Sequence, residues 1–199
     1  MTTVVVNSNG DIFADAKMSS GSGESSCYTK KITSCNFDIV VKSKLYKVTA
    51  FVLVGLASDT VIEGLTEDGI DVLEFLNSKM INTFENIPMT IICRTEDKRH
   101  PILTIKHTYR GGFECKSIRL KKGGIISFGS GSRAINLLAK IVPQRSEIEY
   151  ISTMILRNLD VASGIGVHTL KFGESDITYI DEDGLDRKLD LMSSIIDSL

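Results

Sequence analysis

At 199 residues, 42% hydrophobic and 24% charged, the chain has the size and composition of a single soluble globular core, able to bury about two-thirds of its unfolded surface. A formal net charge of -2 excludes the excess of clustered Lys and Arg that nucleic acid or an anionic membrane rewards, and the short basic run Lys116, Arg119, Lys121 and Lys122 reads as a solvated strand and turn. No apolar run approaches the ~20 residues that span a bilayer, and no basic-then-apolar leader opens the sequence, so a cytoplasmic protein is expected.

Residues 3–6 are β-branched, Asn7-Ser8-Asn9-Gly10 supplies turn chemistry, and Ile12-Phe13-Ala14 resumes an extended run, which together predict a hairpin. The Ser/Gly-rich stretch 19–26 predicts a loop. Ile32 to Val41 and Leu45 to Val54 predict strands on either side of Lys42-Ser43-Lys44, the second ending at Gly55 before a helix capped by Ser58 or Asp59. That helical pattern is interrupted by Gly64 and Gly69 and then places Ile70, Leu73, Leu76 and Ile81 on one face. Strands are predicted at Met89–Cys93, Ile102–His107, Phe113–Leu120 and Ile125–Phe128. Gly129-Ser130-Gly131 leads into a helix with Ala134, Leu137, Leu138 and Ile141 on its buried side, closed by Pro143. A second helix runs from Ser146 to Leu159 with Ile148, Ile151, Ile155 and Leu159 buried, and Ser146 and Glu149 have capping-box spacing. Strands at Val167–Phe172 and Ile177–Ile180 and a helix from Leu185 to Ile196 complete the chain. Strand runs segregated from helix runs predict an α+β fold, a four-layer αββα sandwich of two antiparallel sheets flanked by helices, with residues 1–199 forming one domain.

Cys27, Cys35, Cys93 and Cys115 form no C-x-x-C pair, and His100, His107 and His168 lack zinc-like spacing, so reduced thiols and no metal are expected. Gly21-Ser22-Gly23 lacks the rest of a phosphate loop, and no cofactor is expected. The start of the chain, whose plainer reading is the first edge strand of a sheet, also offers a candidate for chemistry. An initiator Met before a small residue is normally removed, which leaves Thr2 with a free α-amine, so that a hydroxyl nucleophile and an amine base sit on one residue.

Four separated motifs resemble the proteasome β-subunit and HslV-type threonine peptidase family of N-terminal-nucleophile hydrolases. They are the Thr2-Thr3 start before a valine strand; Ala14-Asp15-Ala16-Lys17-Met18-Ser19-Ser20-Gly21 running on to Lys30-Lys31-Ile32; Ile126-Ser127-Phe128-Gly129-Ser130-Gly131; and Asp160-Val161-Ala162-Ser163-Gly164. The resemblance implies Thr2 as nucleophile and Lys31, held by Asp15, as the cation that eases alkoxide formation. It further implies the Gly55 N–H as oxyanion donor, and Ser130, Asp160 and Ser163 as groups that position the terminal amine. Met18, Thr29, Leu53 and Ala57 match its substrate pocket and favour an apolar residue before the scissile bond. The implied substrates are polypeptides, and the implied assembly is a homo-oligomeric ring fed by an ATP-dependent unfoldase.

Each motif also has a plainer structural reading: an ion pair at strand ends for Asp15 and Lys31, a helix cap for Ser130, an unusual φ for Gly55, a chain turn for Asp160 and Ser163. The segment from Lys31 to Gly55 is longer than the family's, which makes Lys42 a rival for the catalytic lysine. Leu56 stands where the family has a second Gly, and the helices between Gly55 and Met89 are shortened. A proteasome-like binding module without turnover, or an amidase of the same superfamily, are the competing expectations.

Overall fold

The computed structural model describes residues 2–19, 26–55, 59–67, 71–80, 89–107, 112–143, 146–156, 159–160 and 163–186. Their order is β1 (Thr3–Asn7), β2 (Ile12–Asp15), β3 (Lys17–Ser19), β4 (Ser26–Tyr28), β5 (Ile32–Val41), β6 (Lys44–Val54), α1 (Asp59–Thr66) and α2 (Val72–Met80). There follow β7 (Thr90–Thr95), β8 (Ile102–His107), β9 (Phe113–Ile118), β10 (Ile125–Gly129), α3 (Ser132–Ile141), α4 (Glu147–Leu156), β11 (Gly166–Leu170), β12 (Thr178–Asp181) and α5 (Glu182–Asp186). The fold is α+β, with two five-stranded antiparallel sheets and helices packed on each. Contacts divide the chain into two compact units, Met1–Lys31 with Leu120–Leu199, and Ile32–Arg119. Among the described residues no helix is long and apolar enough to cross a membrane.

The first unit carries the sheet β10-β1-β2-β11-β12 and the small hairpin β3-β4. β1 and β2 are interior strands, and every residue of both is buried, which is why Val4-Val5-Val6 reads as an unbroken apolar run rather than an alternating one. Asn7 and Asp11 close the β1–β2 turn by side-chain and backbone hydrogen bonds, with Gly10 in the left-handed region at φ +90°. One face of the sheet, at Val5, Phe13 and Val167, packs on Ile135 and Leu138 of α3, on Tyr150, Ile151 and Met154 of α4, and on Leu185 of α5.

Two helix expectations need correction. In α3 the buried residues are Ile135 and Leu138, while Leu137 and Ile141 are 56% and 47% exposed. The phase of the helix is set at its start, where Gly131 lies so close to Met154 and Thr3 that an added Cβ would meet their side chains at 2.2 and 2.6 Å. Leu159 is likewise exposed, beyond the end of α4. The capping box does form: the Ser146 N–H and hydroxyl donate to Glu149 Oε2 at 2.7 Å, and the Glu149 N–H donates back to Ser146 Oγ. Of the predicted final helix only Leu185 and Asp186 fall within the described residues, as the end of α5.

The second unit is the meander β5-β6-β7-β8-β9 with α1 and α2 against it. β5 buries alternate residues, and Phe37, Ile39 and Val41 join Val61, Leu65 and Leu76 in its core. Lys42 and Ser43 both adopt positive φ, +50° and +64°, the requirement of a two-residue hairpin turn, here met without Gly. α1 runs through Gly64 rather than breaking there, and the Phe75 ring of α2 occupies the space a side chain would need, 2.1 Å from an added Cβ. Glycine at that position lets the two helices approach closely.

Candidate functional site

The β1–β2 register ends at Val4↔Ala14, and one residue further on the Asp15 side chain supplies the acceptor that the ladder no longer does. Asp15 Oδ1 accepts the Thr3 N–H at 2.6 Å and Lys31 Nζ at 2.8 Å. Lys31 is carried there by the strand-like bond from the Thr29 N–H to the Ala16 carbonyl, 2.8 Å, just beyond the β3–β4 hairpin. The ion pair is almost dry: 7% of the Lys31 side chain and none of Asp15 is accessible. Burial is the largest influence on both groups. It holds Lys31 below the ordinary lysine value, against the attraction of Asp15 and Asp160. It pushes the Asp15 carboxyl up, against the charge and hydrogen bond of Lys31 and the backbone N–H groups of Thr3 and Lys17.

A second set of polar groups meets β1 at the same end. Ser130 Oγ and Ser163 Oγ each lie 2.7 Å from Asp160 Oδ2, and Ser163 Oγ lies 2.7 Å from Thr3 Oγ. The Gly131 N–H donates to Thr3 Oγ at 2.8 Å. β10 and β1 pair as Thr3↔Gly129, so Ser130 follows the residue opposite Thr3 and sits at the start of the chain. Gly129, at φ +90°, passes so close that an added Cβ would stand 1.6 Å from the Thr2 carbonyl oxygen. The loop bearing Ser163 is held by several bonds. The Ser163 N–H donates to the Asp160 carbonyl, the Ile165 N–H to Glu182 Oε1 at 3.0 Å, and the Tyr179 hydroxyl to the Ile165 carbonyl at 2.7 Å. These bonds keep Ile165 in the left-handed region, φ +70°, where a β-branched residue is strained.

Asp15, Lys31, Ser130, Asp160 and Ser163 are therefore gathered around the first residues of β1, and Thr2, 8% exposed, lies directly before that strand. Lys42, the rival lysine, occupies the β5–β6 turn of the second unit. Gly55 and Leu53 also belong to the second unit. Gly55 follows β6 exposed at φ +110°, and Leu53 is buried in β6. Thr29 is half-buried. Met18 lies on β3, while its side chain, and the whole of Ala57, fall outside the described residues.

Sequence reasoning missed Thr3, Gly129 and Gly131. Successive side chains on a strand point to opposite faces, so of two adjacent threonines only one can reach Ser163. The doublet Thr2-Thr3 before a strand was the signal for a second role.

His168 packs beside this region. Its Nε2 lies 2.8 Å from the Tyr28 hydroxyl, its Nδ1 is buried without a partner, and Tyr28 and Tyr179 rings flank it at 5.4 and 5.1 Å. Burial, with Lys30 and Lys31 adding repulsion, pulls its pKa down to about 4. The group contributes stability that is complete above the unfolded value near ~6.5 and lost as pH falls through the folded one. Urea midpoints should therefore fall by the equivalent of about 2 kcal/mol from pH 7 to pH 5, a loss missing in His168→Gln.

No family model matches the chain, and no curated protein matches it in sequence. Among solved structures it is similar to Anbu from Hyphomicrobium sp. strain MC1 in two forms. One is a Gly-1 mutant, with TM-score 0.58 and 10% identity over 100% of this chain and 97% of that one. The other has TM-score 0.54 and 11% identity over 100% and 98%. Anbu is ancestral β-subunit-like, with a proteasome-like N-terminal-nucleophile fold. These findings correct the expectation of membership in the proteasome β-subunit and HslV-type family: no family model supports it, and at 10% identity the likeness extends to the fold alone.

Proposed function

We propose that the protein hydrolyses peptide bonds with Thr2 as an N-terminal nucleophile once Met1 is removed. The observation that carries this reading is the convergence on one strand end of a buried Lys31–Asp15 pair, bonded to the Thr3 N–H, and a Ser130–Asp160–Ser163 network, bonded to Thr3 Oγ. In the first step Thr2 Oγ gives its proton to the α-amine and bonds to the carbonyl carbon. A free α-amine ordinarily titrates near ~8, which suits a general base at neutral pH. The ammonium then protonates the leaving nitrogen as the C–N bond breaks, leaving an ester on Thr2. Water, deprotonated by the same amine, attacks that ester and frees the acid and the hydroxyl. Lys31 stabilises the developing alkoxide by its positive charge, and Asp15 keeps it in place.

Intact-mass measurement and a fluorogenic peptide assay test the reading. Protein from cells should lack Met1, and Thr2→Ala should cut turnover by about 10³-fold or more. Retained Met1, whose peptide bond turns the Thr2 amine into an amide, or equal rates in both proteins, would sink it and leave a binding module of the same fold.

With this activity we propose a cytoplasmic setting and a homo-oligomeric ring served by an ATP-dependent unfoldase. Free thiols at Cys35, Cys93 and Cys115 support the first, and the apolar surface of Leu137 and Ile141 on α3 is of the kind an assembly covers.

A further inference from the structure

The network that meets Thr3 has a fixed donor-to-acceptor direction. Asp160 as a carboxylate can only accept, so Ser130 and Ser163 must each donate their single proton to its Oδ2. Ser163 Oγ then has only lone pairs left for its 2.7 Å contact with Thr3, which makes Thr3 the donor there. The Thr3 oxygen in turn accepts the Gly131 N–H at 2.8 Å. The order is thus Gly131 N–H to Thr3, Thr3 O–H to Ser163, Ser163 O–H to Asp160, with Ser130 O–H arriving at Asp160 from the other side. Every proton in the relay has one place to go, and Thr3, with no exposed surface, is its link to β1. The Thr3 hydroxyl proton is committed to Ser163 and one lone pair to Gly131, and the residue's own nitrogen is a peptide amide that cannot act as a base.

We propose that Thr3 is a positioning residue: its hydroxyl fixes the rotamer of Ser163 and so the place of the Asp160 carboxylate beside the chain start. The proposal rests on the reading of Thr2 as the working terminus, because Thr3, which the network holds, is the next residue of the chain. Thr3 anchors the same terminus twice. Its N–H bonds to Asp15 and its side chain to Ser163, so one residue joins the cation side of the site to the hydroxyl side. A hydrophobic residue of the same shape at position 3 keeps the first anchor and removes the second.

The test compares Thr3→Val, Thr3→Ser and Ser163→Ala in protein lacking Met1. Two readouts are followed: peptide turnover with its pH profile, and the titration of the Thr2 α-amine by NMR with 15N-threonine. Thr3→Val should lower kcat by about 10- to 100-fold with KM little changed, and should move the amine titration and the acid limb of the profile together. Thr3→Ser, which keeps the hydroxyl, should restore both. In a Ser163→Ala background Thr3→Val should have no further effect, since Thr3 acts through Ser163. An amine titration identical in wild type and Thr3→Val overturns the proposal, as does full additivity with Ser163→Ala. If wild type proves inactive on peptides, the titration still decides: a shift in Thr3→Val that Thr3→Ser reverses upholds the positioning role while the peptidase reading falls. Should Thr3→Val fail to fold, Thr3→Cys, with a weak acceptor for Gly131 and a poor donor to Ser163, replaces it under the same criteria.

Discussion

Lys31→Met is expected to destabilise the protein by about 3–5 kcal/mol and to abolish hydrolysis. Asp15 has no exposed surface, and its Oδ1 would keep the Thr3 N–H but lose the ammonium 2.8 Å away. A buried carboxylate without its cation is costly, and a chain of this length loses roughly 2–4 °C of melting temperature per kcal/mol, so a drop near ~10 °C is expected. The pH dependence has a definite sign. Burial already pushes the Asp15 carboxyl up, and without Lys31 its main opposition is gone, so the folded value rises further above the unfolded one. A group raised in the folded state contributes stability that is present below the unfolded pKa and lost as pH rises through the folded pKa. The deficit of Lys31→Met against wild type should therefore shrink on acidification, measured as urea midpoints at pH 4 and pH 7. The double variant Asp15→Asn/Lys31→Met separates stability from chemistry, because it removes both charges while the amide oxygen at position 15 still accepts the Thr3 N–H. It should melt within a few degrees of wild type while remaining inactive. If the double variant instead recovers turnover, the ion pair has only a structural role.

The parts of this site that could be read from the sequence are those fixed by short-range rules. Asp15 and Lys31 sit at the ends of a strand and a hairpin whose turn signals are local, and their pairing follows once β2 and β3-β4 form. Ser130 and Ser163 stand next to glycines and an aspartate in motifs whose hydrogen bonds constrain residue type. For the same reason such motifs reported a fold rather than a family. The face of α3 could not be read, because its apolar residues Ala134, Ile135, Leu137, Leu138 and Ile141 fit two phases. The choice between them is made by the contact of Gly131 with Met154 and Thr3, residues distant in sequence. Thr3 was missed because strand alternation decides which of two threonines faces the network, and that alternation is anchored by the pairing of β1 with β10 and β2.

Gly129→Ala should do comparable damage by a different route, costing about 4 kcal/mol or more and removing hydrolysis with it. Two effects add at this residue. Its φ of +90° disfavours any side chain, and an added Cβ would stand 1.6 Å from the Thr2 carbonyl oxygen and 2.8 Å from its carbonyl carbon. Both atoms are backbone, so no rotamer change relieves the overlap. The Thr2–Thr3 peptide has to move, and with it the Thr3 N–H that Asp15 holds at 2.6 Å. Gly123→Ala isolates the first effect, since Gly123 has φ +75° with nothing within 4 Å of an added Cβ, and should cost only about 1 kcal/mol. Gly131→Ala falls between them, because the atom it meets first, Met154 Sδ at 2.2 Å, lies near the end of a flexible side chain that can swing aside, while Thr3 Oγ at 2.6 Å is held by its hydrogen bonds. The expected order of melting temperatures is Gly123→Ala above Gly131→Ala above Gly129→Ala, with hydrogen exchange at Thr3 and Val4 accelerated in the last. A Gly129→Ala protein that melts like Gly123→Ala, with those amides still protected, would show that β1 is not pinned by this approach. The close packing of β10 on the chain start would then have no part in holding Thr2 in place.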